Sequence, residues 1–171
     1  MLHLYYGDGK GKTSSAVGLG IRAAGRGFGV LMIQFLKCQP SGEVLFLKDC
    51  ENFTVRRFES EHSFIMDTSE SLNEKLKSEI AEAIAFAKNA VAAKACDVLI
   101  LDEVLDAVDL GFVDEDELIS LINIGKNDIE LAFTGRRASD RLIERADYVT
   151  DLTQVKHPYQ KGVIAREGFE Y

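Results

Sequence analysis

LHLYYGDGKGKTSSAVG, residues 2–18, joins an apolar run, a glycine-rich turn and the start of a helical pattern. Leu2–Tyr6 reads as a strand. From Thr13 to Ala24, Val17, Leu19, Ile21 and Ala24 recur among small residues as on a helix. GDGKGKT therefore falls at a strand-to-helix turn, where glycines let backbone N–H groups face an anion and the helix N-terminus adds partial positive charge. The usual phosphate-loop spacing, G-x-x-x-x-G-K-[ST], needs glycine at position 6, where Tyr6 stands; Gly7 comes one residue late. Phosphate binding still outweighs a merely flexible turn, because strand, helix and Gly11-Lys12-Thr13 occur together. Lys12 can reach terminal phosphates, the Thr13 hydroxyl can coordinate Mg²⁺, and Lys10 is an extra cation within the loop.

The rest of the chain continues that alternation. Apolar runs at Val30–Phe35, Phe53–Phe58, Val98–Leu101, Ile129–Phe133 and Tyr148–Thr150 are nearly unbroken, as in parallel strands covered on both faces. Helical spacing is clearest from Ser69 to Ala95, through Leu72, Leu76, Ile80, Ile84 and Val91, with Ser69 or Ser71 as cap. Shorter helices are expected over Asp116–Ile124 and Ser139–Arg145. The expected fold is α/β, a doubly wound, mostly parallel sheet of about six strands, with nucleotide bound at the phosphate loop. One domain should span 1–171, with an irregular tail from Thr153. Two irregular stretches, 37–42 and 59–68, follow predicted strands and are expected near ligand.

Composition narrows the partners. The 171 residues carry 28 acidic and 20 basic side chains, a net charge of −8, which argues against coating nucleic acid. The three cysteines, Cys38, Cys50 and Cys96, have no paired spacing that suggests a disulfide framework or a zinc site. No apolar run approaches a membrane span and nothing near Met1 reads as a leader, so a reduced, cytoplasmic setting is expected.

Two further segments carry chemistry. DVLILDE, residues 97–103, is an apolar strand ending in two carboxylates. In phosphate-loop proteins such an acid anchors the hydrated magnesium beside the loop threonine. Asp102 is the first candidate, with Glu103 either a second metal contact or a base that orients water. Asp106 and Asp109 are expected on a solvated face. FTGRRASDRLIERAD, residues 133–147, leaves a predicted strand at Thr134-Gly135-Arg136, where Arg136 or Arg137 could face phosphates. Arg141 and Arg145 read as surface residues, and His3 and His62 as strand and loop histidines without metal-ligand spacing.

Together GDGKGKTSSA (7–16), QFLK (34–37), LDE (101–103), FTGR (133–136), ADYVTDL (146–152) and VKHPYQKGVIAREGFEY (155–171) resemble the phosphate-loop type of ATP:cob(I)alamin adenosyltransferase, the corrinoid adenosyltransferases. The shortened loop is that family's own form, and the K-H-P-Y-x-K-G tail discriminates it from ordinary phosphate-loop ATPases. The resemblance implies transfer of the 5′-deoxyadenosyl group of ATP to the Co(I) of a reduced corrinoid, with triphosphate leaving. It implies that Gly7, Asp8, Gly9, Lys10, Gly11, Lys12, Thr13 and Ser14, with Arg136, bind ATP. Lys10, Lys12 and Thr13 would serve the reaction directly. Thr13 with Asp102 or Glu103 would hold Mg²⁺, for which Mn²⁺ could substitute. Phe35, Phe64, Met66, His157 and Tyr159 are the candidate corrinoid contacts. A homodimer and a flavoprotein reductase as electron donor are further expectations of the resemblance. The chain departs from the family in lacking any tryptophan; family members often place one near Gln39 and Pro40. The alternative reading is an ATPase or nucleotide switch that hydrolyses ATP to drive a partner, with Glu103 orienting water.

Overall fold

The computed structural model describes residues 1–37, 41–58, 70–158 and 162–169. Its strands are β1 (Leu2–Tyr6), β2 (Val30–Gln34), β3 (Phe53–Arg56), β4 (Val98–Asp102), β5 (Glu130–Gly135) and β6 (Tyr148–Asp151). Its helices are α1 (Lys12–Ala24), α2 (Gly42–Leu47), α3 (Glu70–Ala92), α4 (Val104–Asp109), α5 (Glu115–Gly125) and α6 (Asp140–Ile143). All strand pairs are parallel, and the sheet runs β3-β2-β4-β5-β1-β6.

The apolar runs lack polar alternation because both faces of the sheet are covered. Leu2, Leu4, Leu31, Ile33, Leu99, Leu101, Leu131 and Phe133 pack with α3 and α5 through Leu76, Ile80, Ile84, Leu118 and Leu121. The intervening Val30, Met32, Val98, Ile100 and Ala132 pack with Ala16 and Val17 of α1. Each strand thus sends alternate side chains into two cores, the doubly wound arrangement expected from the runs. Cys96 is a buried thiol at the foot of β4, and burial pushes it up to about 11.

Several boundaries move. β2 stops at Gln34 and β3 at Arg56, while β4 runs on to Asp102. α2 has no counterpart among the expected helices: its six residues are too few to show a period, and only Leu47 is buried. α4 follows Glu103 directly, and α6 is shorter than the expected helix. Phe35 also needs correction. Its side chain is fully buried in the core, so it is not a surface for a corrinoid. Among the described residues, none after Asp151 lies in a strand or an α-helix. No helix among the described residues is long and apolar enough to cross a membrane.

Candidate active site

Parallel pairing places the carboxyl ends of the strands along one edge of the sheet, where open α/β sheets collect ligands. Loop 7–11 leaves β1 there. Gln34 and Lys37 leave β2, Asp102 and Glu103 leave β4, Thr134 and Arg136 leave β5, and Asp151 and Leu152 leave β6.

The glycines of the loop divide by task. Gly7 and Gly11 have φ of 120° and 114°, in the left-handed region that disfavours a side chain. A Cβ on Gly9 would lie 2.4 Å from the Leu152 carbonyl oxygen, and one on Gly7 2.6 Å from the same atom. The Gly9 N–H donates to Leu152 O at 2.6 Å, Leu152 N–H to Tyr6 O at 2.7 Å, and Gly7 N–H to Arg136 O at 3.2 Å. The Asp8 carboxylate accepts from Gln154 N–H at 2.8 Å. The N–H groups of Gly7 and Gly9 and the Asp8 carboxylate thus hold the loop against its neighbours, chiefly the segment after β6. The amides that open α1 are placed differently. Gly11 is its N-cap, no side chain caps it, and Ser15 N–H makes a helical bond back to Gly11 O. The N–H groups of Lys12, Thr13 and Ser14 therefore precede the helical ladder.

Two substitutions separate these tasks. Gly9→Ala drives a methyl into backbone and is expected to cost about 1–3 kcal/mol, as overpacking does, and to weaken ATP binding. Gly18→Ala in exposed α1 meets nothing within 4 Å and should gain about 0.5–1 kcal/mol. Urea melts of both variants check the pair; equal behaviour would show that the loop tolerates the shift.

Lys12 Nζ donates to Gly9 O at 2.8 Å, and burial, with Arg136 nearby, holds its pKa below the usual lysine range against Asp106 and Glu103. Lys10 reaches the tail instead, donating to Phe169 O at 2.6 Å. Arg136 is exposed beside these groups, and its N–H donates to Asp106 at 3.1 Å. Asp106 is half-buried there, which corrects its assignment to a solvated face; burial raises its pKa. Arg141 does lie on the surface, paired with Glu115 and Asp116.

The centre is Asp102, fully buried. Its Oδ1 accepts from Thr13 Oγ1 at 2.9 Å and Thr134 Oγ1 at 2.7 Å. Its Oδ2 accepts from Lys37 Nζ at 2.5 Å and Gln34 Nε2 at 3.2 Å. Lys37 also lies 3.2 Å from Thr13 Oγ1 and 3.3 Å from Glu103 Oε1. Burial opposes its charge, but Asp102 and Glu103 prevail and raise its pKa. Glu103 sits at φ 63°, its N–H donating to Thr134 Oγ1 at 2.8 Å. Burial pushes the Glu103 carboxyl up to about 7, with Asp102 adding to the shift and Lys37 opposing it. Behind them Arg57 donates to Gln34 Oε1 through Nε at 2.9 Å, and Gln34 donates to Glu43 at 3.2 Å.

The structure thus brings Thr13, Asp102 and Glu103 together, and Lys12 and Arg136 beside them. His157 is half-buried in the tail, while Phe64, Met66, Tyr159 and His62 lie outside the described residues. Sequence reasoning passed over Lys37, Gln34, Thr134 and Arg57 as site residues. A glutamine and a threonine closing apolar runs were the available signals, since a polar side chain at the end of a buried strand needs a partner.

The donors fit magnesium. Hydroxyl and carboxylate oxygens are hard ligands, and the Lys37 ammonium already lies among them, so the donor set is compatible with a hard cation. Among the described residues no group of three or more His, Cys, Asp or Glu forms a protein-only metal cage.

The parallel sheet, the phosphate loop and the buried acid define a nucleotide-binding phosphate-loop protein. The solved structure of C. elegans PCH-2 is similar to it in fold, with a TM-score of 0.50 and 18% identity over 90% of this chain and 35% of that one. The model of the family ATP:corrinoid adenosyltransferase BtuR/CobO/CobP matches residues 1–171, and the chain belongs to that family. A corrinoid adenosyltransferase of Pseudomonas aeruginosa is 32% identical over 179 residues, covering 100% of this chain and 83% of the relative. One from Escherichia coli K12 is 31% identical over 169 residues, covering 98% and 84%. The protein is therefore an enzyme of ATP-dependent adenosyl transfer to a corrinoid.

Proposed function

We propose that the amides of Lys12, Thr13 and Ser14, with the side chains of Lys12 and Arg136, hold the triphosphate of ATP so that the 5′ carbon faces the corrinoid. The Co(I) electron pair attacks C5′, a Co–C bond forms, and the C5′–O5′ bond breaks with its electrons leaving on triphosphate. Co(I) is nucleophile enough, so the protein's work is alignment and stabilisation of a departing polyanion. Mg²⁺, or Mn²⁺ in its place, would add charge neutralisation there. Thr13 Oγ1 and Glu103 would bind it, with Asp102 orienting the threonine. In support, Asp102 already accepts four hydrogen bonds, whereas the Glu103 side chain remains 32% exposed. Lys10 adds positive charge at the mouth of the loop.

Leu45 and Phe46 on α2, 63% and 79% exposed, supply apolar surface for a flat macrocycle where Phe35 does not; His157 would approach from the tail. The same reading takes 1–171 as one domain acting in the cytoplasm as a homodimer, with a flavoprotein reductase supplying Co(I). The observation that carries the proposal is the cluster of Lys12, Thr13, Asp102 and Glu103 at the carboxyl edge of the sheet. Phosphorus NMR of the reaction tests it. Intact triphosphate is expected only when reduced corrinoid is present, together with a cobalt–carbon chromophore. ADP and orthophosphate formed without corrinoid would mean an ATPase.

A further inference from the structure

Lys37 occupies the place where the metal is expected. Its ammonium contacts Thr13 Oγ1, Asp102 Oδ2 and Glu103 Oε1 together, at 3.2, 2.5 and 3.3 Å. A buried carboxylate, Asp102, with a partly exposed one, Glu103, beside it needs a counter-charge, and Lys37 provides it. A magnesium ion bound at roughly 2.0–2.1 Å by Thr13 Oγ1 and Glu103 Oε1 would use the two oxygens that the ammonium now contacts, and two cations held that close repel each other. The backbone is bent to bring Lys37 there. Leu36, a bulky residue, has φ 58°, and Glu103 across the site has φ 63°. Both are left-handed conformations that persist only where surrounding contacts hold them.

We propose that Lys37 is a built-in competitor for the metal, neutralising the acid pair until the divalent ion displaces it. Its side chain then swings out from the acids, on a stem that keeps it beside the triphosphate. The site stays charge-balanced throughout: one ammonium serves the carboxylates before the metal arrives and the phosphates afterwards. The inference rests on the proposed placement of Mg²⁺ at Thr13 and Glu103, and makes a separate claim about who holds that place first.

Mn²⁺ alone, without nucleotide, is the probe, and electron paramagnetic resonance counts the bound ion. Lys37→Gln and Lys37→Ala are expected to bind Mn²⁺ about tenfold more tightly than the parent or better, the scale of one charge-assisted contact removed. Mn²⁺ should raise their melting temperatures more than the parent's, because tighter binding adds more stability. Adding Thr13→Ala should abolish the gain. Equal or weaker binding by folded Lys37 variants overturns the proposal. If Thr13→Ala still lowers Mn²⁺ affinity in the parent, the metal placement survives that outcome. A gain that Thr13→Ala leaves untouched puts the metal elsewhere and removes both readings. The parent chain gives a measurement independent of variant folding. Lys37, with a side chain 20% exposed, should label faster with a small amine reagent once Mn²⁺ is bound, as read by mass spectrometry. Unchanged labelling overturns the displacement.

Discussion

Lys12→Ala is expected to lower ATP affinity by about ten- to a hundredfold, the range for one lost charge-assisted contact of roughly 1.5–3 kcal/mol, while leaving the fold intact. The asymmetry follows from the resting contacts of Lys12. In the protein alone its ammonium donates to the Gly9 carbonyl, at 2.8 Å and only partly buried. That contact is charge-assisted but partly open to water, so removing it should cost no more than about 1.5 kcal/mol, a melting shift of roughly 3–6 °C at most. With ATP bound, the same ammonium would lie at the N-terminus of α1, in a place that already lowers its pKa by burial. A partly desolvated cation attracts an anion more strongly than one in bulk water. Calorimetric titration with MgATP beside a thermal melt separates the two effects. Retained affinity would show that the loop does not grip the triphosphate through Lys12.

Asp102→Ala should damage both fold and binding. It removes the acceptor for Thr13, Thr134, Gln34 and Lys37 at once. It also leaves the Lys37 ammonium beside Glu103 alone. Breaking a buried ion pair from one side costs about 3–5 kcal/mol, and the partial exposure of Lys37 argues for the lower end. For a chain of this length that means a melting temperature lower by roughly 6–12 °C. Metal-dependent ATP affinity should fall as well, because Thr13 loses the oxygen that orients its hydroxyl. Added Mg²⁺ should not restore the melt. A variant as stable as the parent would show that the polar cluster is not what holds the ends of β2, β4 and β5 together.

The two variants also mark how far the site could be read before its geometry was known. Lys12, Thr13 and Asp102 were legible because their chemistry is local. A glycine turn between strand and helix must present amides, and an apolar strand ending in acid must turn that acid toward the sheet's carboxyl edge. Lys37 was not legible, although QFLK helped identify the family. Nothing within that segment says that a left-handed leucine aims the next lysine at a carboxylate 65 residues away. The same holds for Gln34 and Arg57, whose partners come from different strands.

Tyr6 in place of the expected glycine shows the division most clearly. From the chain alone it was a spacing fault that the neighbouring motifs outweighed. In the fold, Gly7 takes the positive φ, and Gly7 and Gly9 lie close enough to Leu152 to exclude a Cβ. The sequence by itself determined the doubly wound sheet, the phosphate loop and the acid strand, because each rests on periodicity or on neighbours a few residues apart. Tertiary structure decided which loop amides are bonded within the protein, that Phe35 belongs to the core, and that an ammonium lies among the oxygens of Thr13, Asp102 and Glu103. Those outcomes depend on which strand ends meet, and only the pairing of β1 with β6 and of β2 with β4 brings them together.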